Sequence, residues 1–420
     1  MFSKGRLVLL SLILYAQVEH SVQSKEYGSI KEALKHGHPS LKFRIRQEGV
    51  KQQELQNGYA TTLQSKVGYQ SAEFANNRLF VEATNVSNFF GQSYNPAVDP
   101  LTKSNYAVIN DPKGTGITSM NIFAQWLPYT DLVVGRQYIS LDNERMIGTN
   151  TFRQYPTSFD SLTLKNDFFK DFEVFYSFIN YINTYKNNIF TVDGRRKLST
   201  HVFNVAWHNV VYGKLIAYAH MHNDLSISNS SQNTFGVRAE SDDHFRQQYN
   251  FGYELEAAYQ KTKNNNPVQY SVIYFSASAN KEIIEICSNW LVIGKLGYEL
   301  IGGHNGGLPG RTFKFPLGTA NGFNGLAEGY STIPDRGLMD YFVNLDLEYL
   351  ELLKVSLGLH LFQFAKGTGQ QLAGREVDVD VSYKFTKNLN AQVRYAQLTA
   401  CNSSTRSVRR ISGQLSYTAF

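Results

Sequence analysis

Hydrophobic and polar residues alternate along most of this chain. From Leu41 onward the side chains change face at every residue, in segments of about ten residues that turn residues separate, as in transmembrane strands. The same period runs through residues 249–259 and 376–385. One segment shows apolar side chains opposing polar or small ones: Leu353, Val355, Leu357, Leu359 and Leu361 against Lys354, Ser356, Gly358 and His360. A soluble sandwich also alternates, so the period alone does not decide the fold.

The order and length of the connections favour a membrane barrel. Counting segments gives about 18 strands (16 to 18), an even number that returns the chain to its starting side. The long connections 87–116, 140–157, 181–198 and 301–337 all fall at one end, and short links such as 127–130 and 386–389 fall at the other. Trp126, Trp207 and Trp290 fall near the short-turn end, where an aromatic girdle belongs. We therefore predict an all-β, transmembrane antiparallel β-barrel with short periplasmic turns and long extracellular loops.

The N-terminal segments predict export. Lys4 and Arg6 precede an apolar run at residues 7–16 that is too short to span a membrane, which is typical of a signal peptide. The predicted organisation is a signal peptide at 1–24, cleaved between 16 and 24, a periplasmic segment at 25–40 and a barrel at 41–420. Ser29 and Gly37 predict the cap and stop of a short helix. The location is the outer membrane of a Gram-negative bacterium, and the final Phe420 is typical of such barrels, although a bulge is needed to bring it onto the apolar face.

Charge and rare residues exclude several functions. The net charge of +6 comes without a Lys/Arg block, so no nucleic acid is expected as a partner. Cys287 and Cys401 cannot form a disulfide framework. His220, His222 and Asp224 alternate like metal ligands but lack a fourth ligand, so we interpret them as solvated polar residues and predict no metal. The chain has no GxSxG elbow, and the glycines at 302–310 lack GKS/T, so neither an enzyme nor a cofactor is predicted.

One stretch, residues 131–164, carries a long and irregular motif. Its members are Gly135, Arg136, Gln137, Leu141, Asp142, Asn143, Arg145, Gly148, Arg153, Gln154, Phe159 and Asp160. With supporting stretches at 43–48, 233–238, 297–303 and 310–335, the chain resembles the alginate-export family of bacterial outer-membrane porins over about residues 34–345. The resemblance implies a barrel that passes solute or an anionic polysaccharide, without implying that alginate itself is the substrate.

The faces opposite the apolar ones predict the lining of the pore. A basic wall comes from the first and last two strands: Lys42, Arg44, Arg46, Arg394 and Arg410. An acidic sector comes from other strands: Glu254, Glu256, Asp340, Asp346, Glu348, Asp378 and Asp380. Together they predict a transverse field across the channel. The alternative is that these charges are solvated lumen residues that only set the strand register.

The loop at 140–157 is predicted to fold inward as a constriction. Its Arg145 and Arg153 are suited to binding carboxylates with two parallel hydrogen bonds. Arg136, at the outer end of its strand, is a candidate anchor for this loop, and Asp142 and Asp160 are interpreted as partners that hold arginines in place.

Three functions remain open from the sequence. The first is a channel for small, anionic or amphiphilic solutes. The second is a secretion pore for an anionic exopolysaccharide, and the third is a surface-binding barrel that acts through its loops. The expected partners are outer-membrane lipid, the translocated solute or anionic polysaccharide, and the barrel-assembly machinery.

Overall fold

Eighteen antiparallel strands form one sheet that closes on itself, because β1 pairs with both β2 and β18. The computed structural model describes residues 26–97, 103–184, 194–210, 212–286, 289–304, 309–367, 371–402 and 405–419. The predicted signal peptide, Cys287 and Phe420 lie outside these residues. The strand number and the antiparallel order confirm the predicted barrel.

The strands follow one another around the ring in chain order. Their bounds are β1 His38–Gln52, β2 Gly58–Gln70, β3 Asn77–Asn88, β4 Gly114–Leu127, β5 Thr130–Gln137, β6 Ser158–Asn166, β7 Phe172–Asn183, β8 Arg195–Val210, β9 Gly213–His222, β10 Gln232–Glu240, β11 Phe251–Thr262, β12 Ser271–Ile286, β13 Trp290–Ile301, β14 Leu338–Tyr349, β15 Leu353–Phe364, β16 Leu372–Lys384, β17 Leu389–Ala400 and β18 Val408–Thr418.

The outer face of the barrel is apolar. At the seam where the sheet closes, Ile45 on β1 lies opposite Leu415 on β18, and both keep more than a third of their surface exposed. The next residue along β1, Arg46, points inward and is 1% exposed. Exposed apolar side chains that alternate with covered polar ones are the pattern of a strand with lipid outside and a polar interior.

The two ends of the barrel differ as the sequence predicts. The connections 89–113, 138–157 and 302–337 leave one end, here the long-loop end, while two-residue and four-residue turns such as 128–129 and 385–388 close the other. The tryptophans lie at this short-turn end. Trp207 stacks on Phe172 with ring centroids 5.6 Å apart, and Trp290 lies 4.8 Å from Tyr349. These exposed rings form an aromatic girdle.

Two short helices interrupt the strand pattern. Helix α1, Ile30–Lys35, is capped by Ser29, whose hydroxyl accepts a hydrogen bond from the Glu32 amide at 3.2 Å, as predicted. Helix α2, Asp243–Tyr249, occupies a short-turn connection where the sequence predicts a strand from residue 249; the Asp242 side chain caps it and β11 begins only at Phe251. A single 3-10 turn spans Ser228–Ser230. Within the described residues, no helix is long and apolar enough to cross a bilayer.

Candidate channel constriction

Three long connections fold from the long-loop end into the barrel. We name their described parts L2 (residues 89–97 and 103–113), L3 (138–157) and L7 (302–304 and 309–337). Each buries apolar side chains completely against the inner wall, as shown by Ile109 in L2, Ile147 in L3 and Phe313 in L7. The loops therefore occupy part of the lumen.

L3 reaches the lumen wall at two separated places. The Arg145 guanidinium bonds both oxygens of Glu299 on β13, at 2.8 and 2.9 Å. Nine residues later, the Gln154 side-chain amide donates to the Thr62 hydroxyl on β2 at 2.8 Å, and Arg44 on β1 donates to the Thr151 carbonyl at 2.9 Å. Since β13 lies six strands from β1 around the ring, L3 crosses the interior between these contacts.

Arg145 is almost fully buried, at 3% exposed. Its guanidinium carbon lies 4.0 Å from the centre of the Phe315 ring and 4.5 Å from that of Phe323, and its Nη2 donates to Asn324 at 2.9 Å. A buried cation needs such compensation, since an unpaired one is strongly destabilising. All three partners belong to L7, so Arg145 joins the two loops.

A second buried contact, the ionic hub, holds L2, L3 and L7 against the seam. It contains three arginines and three carboxylates: Arg46, Arg153, Arg410, Glu48, Asp111 and Glu328. Arg46 lies 3.0 Å from Asp111 of L2, and Arg153 of L3 lies 3.4 Å from Glu48 of β1. Burial alone opposes ionisation of Glu328 in L7, but the charges of Arg153 and Arg410 lower its pKa to about 2. The six charges sum to zero.

L3 and L7 also pair through their backbones. Ile147 and Leu317 form a parallel bridge, the Gly148 amide donates to the Leu317 carbonyl at 3.0 Å, and the Thr319 amide donates to the Glu144 carbonyl at 2.9 Å. The two loops thus form one packed unit, which we call the L3–L7 barrier.

L7 contacts two carboxylates on the inner face of β16, Glu376 and Asp378. The Leu326 amide donates to Asp378 at 3.0 Å, and the Ala327 amide donates to Glu376 at 2.6 Å. Both carboxylates are buried beneath the loop. Both accept hydrogen bonds from backbone of the protein itself, and Asp378 also lines the smaller cavity described below.

These contacts correct the predicted basic wall. Arg46 and Arg410 do point inward, but both are buried in the ionic hub. Lys42, near the short-turn end of β1, is half-buried. Only Arg44 and Arg394 line the larger cavity described below. Arg394 bonds Asp380 at 2.6 Å and Asn321 of L7 at 3.0 Å.

The predicted acidic sector is likewise partly covered. Glu256, Asp340 and Asp378 are buried; Glu256 accepts from Arg238 at 3.0 Å, and Asp340 lies 2.9 Å from His360. The other four carboxylates of the sector are less buried, but each is paired with a lysine or an arginine. The pairs are Glu254 with Lys295 and Arg238, Asp346 and Glu348 with Lys354, and Asp380 with Arg394.

Three residues of the L3 motif match the predictions only in part: Asp160 holds arginines as interpreted but outside the constriction, and Asp142 lies in L3 but bonds an asparagine. Arg136 and Asp160 form a two-point ion pair, at 2.6 and 3.0 Å, on the outer surface beside the lipid-facing Val134 and Leu162. They lie outside the constriction. Asp142 does lie in L3, where it accepts a hydrogen bond from Asn204 at 2.9 Å in place of the expected arginine. Burial raises the Asp142 pKa, and the nearby Lys214 and Arg238 offset this only in part.

Two cavities flank the L3–L7 barrier. The larger, about 770 Å³, lies toward the short-turn end and is lined by Arg44, Phe152, Arg394 and Lys384 among others. The smaller, about 300 Å³, lies along β11 to β16 under L7. Both are lined by Asn143, Glu254, Gly322 and Phe323. The two cavities therefore adjoin at the tips of L3 and L7 and at Glu254 of β11, a place that we call the narrow point.

Phe152 of L3 lines the larger cavity, and the sequence analysis missed it. Guanidinium groups surround its ring: Arg46 at 4.1 Å, Arg394 at 4.4 Å and Arg153 at 5.1 Å from the ring centre. Its position directly before Arg153 in the motif was the available signal. Aromatic faces attract cations, so Phe152 helps to gather three arginines at one place.

The histidines of β9 are buried polar residues. His222 bonds the Thr200 hydroxyl at 3.0 Å, and Asp224 pairs with Arg196 at 2.9 Å. In the part of the chain that the structure describes, no group of three or more potential ligands is arranged to hold a metal ion.

Comparison with solved structures identifies the fold. The chain is similar to OpdK from Pseudomonas aeruginosa, solved with vanillate, with a TM-score of 0.66 and 12% identity over 92% of this chain and 99% of that one. OccAB1 from Acinetobacter baumannii gives 0.65 and 12% over 93% and 98%, and OccK3 (OpdO) from Pseudomonas aeruginosa gives 0.61 and 14% over 92% and 97%. No protein-family model and no curated protein matches the chain.

These similar structures are outer-membrane porins with 18-strand barrels. The chain has the same architecture: an outer-membrane β-barrel that crosses the membrane with its strands. At 12–14% identity the similarity shows the fold, while the resemblance to the alginate-export family remains a prediction.

Proposed function

We propose that this barrel is a channel for small anionic solutes, and that the L3–L7 barrier narrows it. The observation that carries the proposal is the wall of the larger cavity, where Arg44 and Arg394 flank Phe152 beside the narrow point. Guanidinium groups bind carboxylates with directed hydrogen bonds, and a cavity wall of one charge concentrates ions of the other.

The opposite side of the same cavity carries carboxylates, of which Glu254 is paired with Lys295 and Arg238. Asp142, Glu240 and Glu254 line it, with Arg238 between them. A solute that passes the narrow point therefore moves through a transverse field, with its anionic group toward β1 and β17. Phe152 and Phe323 line this cavity, and their rings favour a solute that also has an apolar part. The vanillate in the OpdK structure supports a solute of small size.

The two alternatives fit the loops less well. Secretion of an anionic polysaccharide, which the alginate-export resemblance implies, requires the L3–L7 barrier to leave the lumen, although Arg145 and the ionic hub hold it at two walls. A surface-binding barrel requires projecting loops, whereas L3 is folded into the barrel. Assembly by the barrel-assembly machinery and export by a cleaved signal peptide remain predictions.

The test is a planar-bilayer recording of the purified full-length protein under a salt gradient. We expect stable conductance with a reversal potential that favours anions. The double variant Arg44→Gln/Arg394→Gln should lower the anion-to-cation permeability ratio several-fold. The matched control is Arg406→Gln, which removes an arginine paired with Glu54 at 3.1 Å in an exposed loop.

Both arginines also bond the loops, so conductance is recorded together with selectivity. A lower permeability ratio supports the proposal. A rise in conductance with an unchanged ratio shows that the arginines only anchor L3 and L7, and overturns their role in selectivity. A silent barrel in all preparations overturns the channel itself.

A further inference from the structure

Two basic residues lie side by side on the outer surface of the seam. Lys51 on β1 and Arg409 on β18 are direct cross-strand partners, and both side chains are exposed. Facing residues of neighbouring antiparallel strands have Cβ atoms about 5 Å apart, and like charges in such pairs repel. The pair is therefore a local concentration of positive charge.

The pair points away from the lumen. Ile411, two residues from Arg409 on the same face of β18, is 53% exposed on the lipid side, whereas Arg410 between them is buried in the ionic hub. Tyr59, opposite Gly49 and so two positions below Lys51, also exposes its ring outward. Lys51 and Arg409 thus stand near the upper end of the apolar face, above an aromatic residue.

Their height matches the boundary of the outer leaflet. Tyr417, near the short-turn end of β18, lies on the same face as Arg409 and eight residues away from it. Eight residues of strand span about 27 Å, or about 20 Å along the membrane normal at a tilt of about 40°. The apolar band of such barrels is about 25 Å tall, so long basic side chains at this position reach the headgroup layer.

Neighbouring groups extend the basic surface. Arg409 donates from Nε to Gln397 on β17 at 2.6 Å, which directs it along the sheet toward β16. There Arg375, opposite Thr399, is exposed on the same face. Arg406 is already paired with Glu54. Within the described residues, neither Lys51 nor Arg409 forms an ion pair.

We infer that Lys51, Arg409 and Arg375 form a binding surface for the phosphate groups of lipid A, the phosphorylated lipid anchor of the lipopolysaccharide that fills the outer leaflet. Phosphate oxygens supply the counter-charge that the Lys51–Arg409 pair needs, and the acyl chains lie on the apolar face below. The surface is separate from the solute path.

A contrasting surface on the same barrel gives the control. Arg136 and Arg195 also face outward at the long-loop end, but both bond Asp160, at 2.6 to 3.1 Å. Asp160 therefore supplies one negative charge for these two arginines, whereas the Lys51–Arg409 pair has none from the described residues. We expect Arg195→Gln to leave phosphate binding unchanged.

The test is titration of the full-length barrel in nanodiscs or detergent with lipid A carrying both phosphates, and with the same lipid A after its phosphates are removed. We expect Lys51→Gln/Arg409→Gln to bind the phosphorylated form about 10- to 30-fold more weakly. Lys51→Arg should bind like the wild type. Heat-modifiable migration on a gel confirms that each variant is a folded barrel, and unchanged conductance confirms an intact lumen.

The outcomes separate the possible sources of phosphate. The inference is supported if the double variant alone among the variants binds phosphorylated lipid A more weakly, and if its binding of dephosphorylated lipid A equals that of the wild type. Equal binding by wild type and double variant overturns it. Equal affinity for phosphatidylglycerol or displacement of lipid A by millimolar inorganic phosphate also overturns it, because the surface would then recognise any phosphate.

Discussion

Arg145 of L3 and Glu299 of β13 form a two-point ion pair, with Nε 2.8 Å from Oε1 and Nη2 2.9 Å from Oε2. Tyr274 and Asn324 donate to the same carboxylate, at 2.8 and 2.6 Å. Since Asn324 belongs to L7, one carboxylate of the wall orients both loops of the constriction.

Arg145→Lys should loosen the L3–L7 barrier while keeping the charge. An ammonium group cannot reproduce the planar fork or the stacking between Phe315 and Phe323, and we expect the contact to weaken by about 1–3 kcal/mol. The measurement is single-channel recording, in which the open current should become larger and noisier. Arg406→Lys, in an exposed pair, is the control; identical traces for both variants would contradict the anchoring role.

Gly325→Ala should displace the tip of L7. Gly325 has a φ of +83°, and an added Cβ would clash with the Glu376 carboxylate oxygen that accepts a hydrogen bond from the Ala327 amide. Gly310→Ala is matched in backbone, with a φ of +73°, but meets no atom within 4 Å. Both substitutions carry backbone strain, so higher conductance only in the Gly325 variant isolates the effect of the lost docking.

Acid should release the barrier only at low pH. The Glu328 pKa lies at about 2, below its ordinary 4.5, because Arg153 and Arg410 outweigh the effect of burial. Since the folded-state pKa is lowered, ionised Glu328 stabilises the docked loops fully above about pH 4.5, and this contribution falls as the pH drops toward 2. Conductance should be equal at pH 7 and 5.5 and should rise below 4.5.

Glu328→Gln tests the assignment. The variant should conduct more already at pH 7 and should respond less to acid, whereas Glu54→Gln in an exposed pair should follow the wild type. An unchanged acid response in the Glu328 variant would assign the transition to another carboxylate.

The topology places Cys401 outside the cell. It lies after β17 at the long-loop end, whereas Lys387 lies in the short turn between β16 and β17. An impermeant maleimide applied to intact cells of a Cys287→Ser variant should label Cys401. Lys387→Cys, in a chain with both native cysteines replaced by serine, should be labelled only after the outer membrane is permeabilised. The reverse pattern would invert the barrel.

Most of the fold could be predicted from the two-residue period. It assigns Ile411 and Leu415 to the lipid side and Arg46 to the interior, and the lengths of the connections identify the two ends. The period also assigns Arg136 and Asp160 correctly to the outer face, because they lie two residues from the lipid-facing Val134 and Leu162. Helix α2 was missed because its seven residues lie within a turn.

The site was less predictable from the sequence, because a side chain that points into the barrel does not necessarily contact the solute. Strand parity brings Arg410 and Asp378 to the inner face, but only the path of L7 decides that both are covered. Loop paths depend on contacts between residues far apart in the sequence, such as Arg153 with Glu328. No local pattern encodes these contacts.

The ionic hub links loop packing to the order of assembly. Glu48 of β1 bonds Arg153 of L3 and Arg410 of β18, so its set of partners is complete only after the first and last strands have met. Complete docking of the loops therefore depends on closure of the ring. Once docked, the loops tie β1 to β18 from inside, and opening this seam requires breaking six buried charges apart together with the strand hydrogen bonds, a source of kinetic stability for the barrel.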